Sequence, residues 1–202
     1  MEQTVNQITL RGQLAKIPEY SHENHGKSFY RFYLSVPRLS GNVDTLPVIV
    51  SEHILNQIDL SGASQLTVTG QIRSHNIRTD GIRHLMIFVF ATSITAEEGE
   101  PLNDVVLEGP LCKDPTYRRT PLGREICDIM LAVPRAFQRA DYLPCILWGR
   151  TAQEVSACRT RDWVRVSGRL QSRSYTKVTD QGSTQRTAYE ISALTAAILE
   201  QY

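Results

Sequence analysis

The sequence lacks any apolar run near the roughly eighteen residues that a membrane-spanning helix requires. It also lacks a basic start followed by an apolar stretch, so a signal peptide is not expected. Low-complexity tracts are missing, and a hydrophobic share of 41% with 21% charged residues is that of an ordinary globular chain. We therefore expect a cytoplasmic protein with no membrane partner.

Cysteine is absent from the first half and scarce in the second. The chain has four cysteines with no close pair, Cys112, Cys127, Cys145 and Cys158, and its five histidines show no ligand spacing. The phosphate-loop, zinc-protease and nucleophile-elbow motifs are also missing. We expect buried thiols, no metal, no cofactor and no catalysis. Asp114, Asp128 and Asp141 are interpreted as turn and strand-edge residues.

What the sequence contains is a repeat. Four blocks of the first half return in the same order in the second: 6–14 at 103–111, 34–38 at 131–135, 46–50 at 143–147, and 70–74 at 168–172. The offset is 97 residues for three blocks and 98 for the fourth. A tandem duplication of one module explains this spacing. It predicts two domains, 1–96 and 102–202, with the junction near 96–101.

The near-neutral charge conceals a difference between the halves. Residues 1–100 hold 8 Lys or Arg against 10 Asp or Glu, whereas residues 101–202 hold 14 against 11. In the second half 12 of the 14 cations are arginine, the residue that binds phosphate with two donors and stacks on bases. The difference favours the second half as the one that contacts an anionic partner, although a solvated face would also account for it.

Alternating apolar residues dominate both halves and predict strands. In the second half these cover 105–111 with an interruption at Gly109, 126–133 with an end at Pro134, 143–148, 163–173 and 187–194, with a helix at 151–157. The first half repeats the order, with its helix near 52–58. Five strands, a bend-forming glycine and a helix between the third and fourth strands are typical of the OB-fold. Other small barrels remain open at this point.

Five short motifs of the second half occur in the order and with the spacing of a known protein family. The residues Asn103-x-Val-x-Leu-x-Gly-x-Leu, Asp114-Pro115-x-x-Arg118-x-x-Pro121-x-Gly123, Leu131-Ala132, Trp148-Gly-Arg-x-Ala152 and Gly168-Arg-Leu-Gln-Ser-Arg173-x-Tyr175 occur in this order. With them the second half resembles the bacterial single-stranded DNA-binding protein family, and the first half is interpreted as a divergent copy. The resemblance implies an all-β chain of two tandem OB-fold, five-stranded Greek-key barrels, each with a short helix between strands 3 and 4.

The resemblance also implies a site. Family members stack bases on four aromatic positions, which fall by alignment on Phe137, Tyr142, Trp148 and Tyr175. Such stacking tolerates any base and contributes ~1–3 kcal/mol per base. Arginines in or beside the same strands are expected to contact phosphates and stack on rings. These are Arg135, Arg139, Arg150, Arg169 and Arg173.

The first half lacks all four rings. It has Ser40, Thr45, Ser51 and Ile77 at the corresponding positions. We therefore expect the second half to contact nucleic acid and the first to serve chiefly architecture or another partner. Other aromatic residues leave a displaced platform open in the first half: Tyr20, Phe29, Tyr30, Phe32 and Tyr33.

The resulting hypothesis is sequence-tolerant binding of single-stranded DNA in replication, recombination or repair by a nucleoid-associated protein. Family members assemble four OB-folds, so a homodimer of this chain is expected. The alternative is a primosome-like or mobile-element accessory protein that acts mainly through protein contacts. The sequence ends at 202 without the family's flexible acidic tail, so recruitment of repair enzymes by that route is not expected.

Overall fold

In a computed structural model, the described residues are 5–60, 64–79, 82–179 and 182–200. Over these residues the chain forms eleven strands and two short helices. In chain order they are β1 (Asn6–Asn24), β2 (Lys27–Pro37), β3 (Val43–Ser51), α1 (Glu52–Leu55), β4 (Gln65–Thr79), β5 (Ile82–Ala96), β6 (Leu102–Pro110), β7 (Thr116–Arg119), β8 (Glu125–Arg135), β9 (Arg139–Trp148), α2 (Gly149–Ser156), β10 (Trp163–Thr179) and β11 (Gly182–Leu199).

The first barrel consists of β1 to β5 with α1. β1 pairs with both β2 and β4, β2 pairs with β3, and β4 pairs with β5, and all of these pairs are antiparallel. A short parallel contact between β3 and β5 closes the ring. On β2 the alternate residues Phe32, Leu34 and Val36 are buried, because successive side chains of a strand point to opposite faces.

The second barrel, β6 to β11 with α2, repeats this order. Its first strand is broken, since β6 ends at Pro110, a single bridge joins Leu111 to Leu131, and β7 then pairs with β8. Two features account for the break, a contact with a distant residue and a proline. The Asp114 carboxylate accepts hydrogen bonds from the amide and the hydroxyl of Thr160, both at 2.8 Å, and Pro115 has no amide proton to offer a strand.

Several strand and helix ends differ from those predicted from the sequence. β8 continues through Pro134 to Arg135, because a proline is tolerated where a strand is paired along one side only. Helix α1 ends at Leu55, three residues before the expected end, and α2 begins directly after Trp148. In the second barrel, β10 and β11 form a hairpin that is longer than the predicted strands 163–173 and 187–194.

The repeated glycine of the first strand has a steric reason. A Cβ atom on Gly12 would lie 2.5 Å from the carbonyl oxygen of Ser35, and one on Gly109 would lie 2.6 Å from that of Ala132. Each glycine therefore allows the first strand of its barrel to approach the second closely enough to close the ring.

The barrels are joined edge to edge by antiparallel pairing of β1 with β6. Ile8 lies opposite Val105, which is its own equivalent at the repeat offset of 97 residues, so the pairing has approximate twofold symmetry. The repeated asparagine supports each first strand. The Asn6 side chain exchanges two hydrogen bonds with the backbone of Ile72, at 2.9 and 2.8 Å, and Asn103 does the same with Leu170.

Two buried aspartates tie each barrel to the other, and we call these contacts the inter-barrel clasps. Asp44 of β3 accepts hydrogen bonds from Arg38 at 2.7 and 2.5 Å and from the amide and hydroxyl of Ser172 on β10, at 2.7 and 3.0 Å. This contact bridges the barrels because Arg38 and Asp44 belong to the first and Ser172 to the second.

The second clasp is formed by Asp141 of β9. It accepts hydrogen bonds from the amide of Ser74 on β4 at 2.8 Å and from Arg73 at 3.0 Å. Arg135 of its own barrel lies 3.4 Å away. Asp141 lies near the start of β9, and its side chain is fully buried between the barrels.

The expected buried thiols are present. Cys127, Cys145 and Cys158 are buried and free, and Cys112 is half-buried. Burial raises the pKa of Cys127 to about 11 and that of Cys145 further, so these thiols stay protonated at neutral pH.

The first clasp predicts an acid-sensitive stability. Burial alone would raise the pKa of Asp44, but the hydrogen bonds from Arg38 and Ser172 outweigh it and hold the pKa below its ordinary value. A lowered folded-state pKa contributes stability above the unfolded pKa of about 3.9, and this contribution is lost as the pH falls through the folded value. Asp44→Asn should therefore lower the free energy of unfolding at neutral pH by about 3 kcal/mol and flatten its decline in acid.

Urea unfolding at a series of pH values measures both effects. The control is Asp128→Asn, which breaks the exposed pair of Asp128 with Arg118 (side chains 41% and 50% exposed) and should cost about 1 kcal/mol or less. Equal losses in the two variants would contradict a structural role for the clasp.

Candidate nucleic-acid interface

The outer face of the second barrel carries an open groove of about 930 Å³, which we call the arginine groove. Its floor consists of outward residues of β8, β9, β10 and β11, including Ile126 and Ile146. Because of the alternation along each strand, these side chains lie opposite the core-facing set. The groove contains one aromatic ring, that of Trp148, and five arginines: Arg38, Arg118, Arg124, Arg169 and Arg173.

Trp148 ends β9 and lies opposite Ile126 of β8. Its side chain is 39% exposed, so one part of the ring is available to a ligand while the rest is packed. The next residue, Gly149, has a φ of 57°, which a glycine adopts without strain. The Trp-Gly pair thus holds the ring at the point where the chain turns from the strand into α2.

The groove carries a positive excess. Five arginines and two carboxylates, Asp128 and Glu190, line it. Asp128 binds Arg118 at 2.7 Å, and Glu190 lies 3.8 Å from Arg173. The Arg169 Nε atom is buried and has no hydrogen-bond partner among the described residues. Guanidinium groups bind phosphate oxygens with strong, charge-assisted hydrogen bonds, so the arginines of the groove are suited to a phosphate backbone.

Two further predicted rings lie on the same outer face. Tyr142 on β9 is 47% exposed and Tyr175 on β10 is 38% exposed. The guanidinium carbon of Arg173 lies 5.8 Å from the centre of the Tyr175 ring, a cation–π geometry that orients both groups. Tyr175 lies just beyond the arginine groove, in a neighbouring cleft.

Phe137 lies at the tip of the β8–β9 hairpin and is 94% exposed. It has a φ of 60° and Gln138 one of 55°, the left-handed backbone of a tight hairpin turn. Non-glycine residues adopt this conformation at a cost of about 1 kcal/mol or more. The turn projects a large apolar ring into solvent.

The structure brings together only part of the predicted site. Trp148, Arg169 and Arg173 line the arginine groove, and Tyr142 and Tyr175 share its face. The other predicted residues lie elsewhere. Phe137 and Arg139 are at the hairpin tip, Arg150 is 90% exposed on α2 and pairs with Glu154 at 3.0 Å, and Arg135 lies at the second clasp. The part of all nine predicted residues in binding remains a prediction.

Three groove arginines were missing from the predicted site. Arg118 belongs to one of the motifs quoted above and Arg124 follows its glycine, so the motif itself was the available signal. Arg38 comes from the first barrel and reaches the groove through the clasp with Asp44. No sequence pattern indicates that contact, because it depends on how the barrels pack.

Two closed five-stranded barrels, each with a helix between the third and fourth strands, and a groove on the outer face of the second define an OB-fold protein. Residues 102–199 match the model of the single-strand binding protein family. The chain belongs to this family, whose members are non-enzymatic DNA-binding proteins.

The family relatives include single-stranded DNA-binding protein B of Bacillus subtilis, 42% identical over 80 residues that cover 36% of this chain and 71% of the relative. Single-stranded DNA-binding protein 1 of Staphylococcus aureus is 42% identical over 81 residues, 37% of this chain, and the match spans about half of that protein (48%).

Solved structures resemble the whole chain. A deletion mutant of the single-stranded DNA binding protein from Thermus aquaticus superimposes with a TM-score of 0.78 and 25% identity, covering 100% of this chain and 98% of that one. The wild-type structure of the same Thermus aquaticus protein superimposes with a TM-score of 0.80 and 24% identity, covering 99% of this chain and 95% of that one. This similarity shows that the two chains share a fold.

Among the described residues, no helix is long and apolar enough to cross a membrane. The same part of the chain has no group of three or more metal-ligating side chains.

The charge of the groove can be measured through its tryptophan. In a Trp163→Phe variant Trp148 is the remaining tryptophan of the chain's two. We expect iodide to quench its fluorescence more strongly than caesium, relative to a free tryptophan analogue, because the surrounding arginines attract anions. Added salt should reduce the difference. A Trp148→Phe variant, which retains Trp163, is the control, and equal quenching of Trp148 by both ions would contradict a positive groove.

Proposed function

We propose that this chain binds single-stranded DNA without sequence preference, in replication, recombination or repair. The observation that carries the proposal is Trp148, a partly exposed ring in a groove lined by five arginines, on the barrel that matches the family. An aromatic ring supplies a surface for any base, and the arginines supply partners for the backbone.

The arrangement suggests a path for the strand. Bases would stack on Trp148 at one end of the face and on Tyr142 and Tyr175 farther along it. Arg169 and Arg173 lie between these rings on β10 and would contact the phosphates. Such contacts release condensed counterions from the strand, so affinity depends on salt.

The wider arrangement is also part of the proposal. We infer two domains, 1–96 and 102–202, supported by the end of β5 at Ala96 and the start of β6 at Leu102. A homodimer would assemble the four OB-folds expected from the family. The protein would act in the cytoplasm, at the nucleoid.

Trp148→Ala should weaken binding of a dT oligonucleotide by about 5- to 150-fold, the equivalent of ~1–3 kcal/mol of lost stacking. Tyr175→Ala should act in the same direction. Fluorescence anisotropy of a labelled oligonucleotide measures both. Trp163→Phe is the matched control and should bind as the unsubstituted protein does, since Trp163 does not line the groove. Unchanged affinity in both alanine variants would refute the stacking platform.

Salt dependence tests the arginines separately from the rings. The logarithm of the binding constant should fall linearly with the logarithm of salt concentration, by roughly 0.7 per phosphate neutralised. Arg169→Gln should reduce this slope by about 0.7, whereas Trp148→Ala should lower affinity and leave the slope nearly unchanged. The same slope in the Arg169→Gln variant would exclude a phosphate contact at this residue.

A further inference from the structure

The outer face of the first barrel has rings of its own, at positions other than the family ones. Phe29 and Tyr33 lie on β2, and Phe88 and Phe90 lie on β5. They project to the face opposite the core-facing residues of the same strands, such as Phe32 and Val89, which are fully buried. Phe90 lies beside Ile49 of β3 in the parallel pair.

The repeat shows what replaces these rings in the second barrel. On β8, at the offset of 97, the equivalents are Ile126 and Met130. On β11 they are Glu190 and Ser192, because Gly70 lies opposite Ala91 just as Gly168 lies opposite Ala193. Rings are therefore missing from the third strand of the first barrel and present on the strands to either side of it. The aromatic surface is displaced rather than lost.

Two contacts show that this face holds flat and cationic groups. The imidazole of His22 lies parallel to the Phe29 ring, with centroids 5.0 Å apart and an angle of 11° between the planes. The guanidinium carbon of Arg73 lies 5.9 Å from the centre of the Phe90 ring. A nucleobase is also planar, so the same rings offer it a stacking surface.

A cleft of about 540 Å³ joins this face to the second barrel, and we call it the inter-barrel cleft. Arg31, Tyr33 and Phe88 line it from the first barrel, and Tyr175 and Arg186 from the second. Arg186 also lies 3.0 Å from a ring nitrogen of His84. No carboxylate is present among the described residues that line the cleft, so its charge is positive.

The cleft and the arginine groove are continuous. Tyr175 of the cleft follows Arg173 of the groove by two residues on β10, so both side chains lie on the same face. On β9, Pro144 of the cleft and Ile146 of the groove have the same relation. A chain that passes along the groove reaches the cleft without crossing a carboxylate-rich surface.

We propose that the inter-barrel cleft is a second single-strand subsite, in which the nucleotides that leave the arginine groove at Tyr175 stack on Tyr33 and Phe88 of the first barrel. Arg31 and Arg186 bind their phosphates. The proposal rests on the proposed function, because it extends the same strand. It assigns the first barrel a direct part in binding.

The test compares oligonucleotides of increasing length. The variant is Tyr33→Leu with Phe88→Leu, which removes both rings and keeps apolar side chains. Strands that fill one barrel, about 4–16 nucleotides, should bind as tightly as to the unsubstituted chain. Longer strands should lose about tenfold or more in affinity, and the number of nucleotides covered at saturation should shrink. The control is Tyr20→Leu, since Tyr20 is exposed, packs edge-on against Tyr30 and does not line the cleft.

A second variant replaces the arginines of the cleft and leaves its rings in place, so its effect on binding does not depend on how the rings pack. Arg31→Ala with Arg186→Ala should lower the salt slope for long strands by about 1.4 and leave it unchanged for short ones. Circular dichroism and thermal unfolding confirm that each variant is folded.

The outcomes separate the two proposals. If Trp148→Ala weakens binding but both cleft variants bind long strands as the unsubstituted chain does, the cleft is not a DNA subsite and the proposed function stands. The same result is expected if the cleft instead holds a segment of another protein. If the unsubstituted chain binds no single strand of any length, the proposed function fails, and the subsite with it.

Discussion

The pairing of β1 with β6 is the contact on which the rest of the arrangement depends. It joins the two barrels edge to edge around Ile8 and Val105, so each presents its long terminal hairpin to the other. Only in this arrangement can Ser172 reach Asp44 and Ser74 reach Asp141. The inter-barrel cleft has one wall from each barrel and exists for the same reason. The strand edges that pair here are also protected from pairing with other chains.

The features that the sequence predicts best are those that the backbone imposes locally. Gly12 and Gly109 recur because no larger residue fits where the barrel closes, and the apolar alternation recurs because each strand has one face in the core. The boundaries were less predictable. Pro134 remains within β8, since one edge of that strand needs no amide donor there, and the broken first strand of the second barrel depends on a hydrogen bond to Thr160, 46 residues away.

The clasps and much of the site could not be predicted, because their partners are distant in the sequence. Asp44 binds Ser172, 128 residues later, and an aspartate beside a hairpin has the same local pattern whether it faces solvent or a second barrel. The repeat did indicate that rings differ between the halves. It did not indicate that Phe88 and Phe90 of β5 share a face with Tyr33 of β2, which requires the parallel contact of β3 with β5.

Arg38 shows that the two barrels are not separable modules. It belongs to the first barrel, is held by the buried Asp44, and lines the groove of the second. A guanidinium that is fixed by a buried carboxylate has already lost the rotamer freedom that a free surface arginine loses on binding an anion. The side chain of Arg38 loses this conformational entropy when the protein folds, in the same contact with Asp44 that orients the two barrels. The geometry of the arginine groove therefore depends on the first barrel, even though its ring, Trp148, comes from the second.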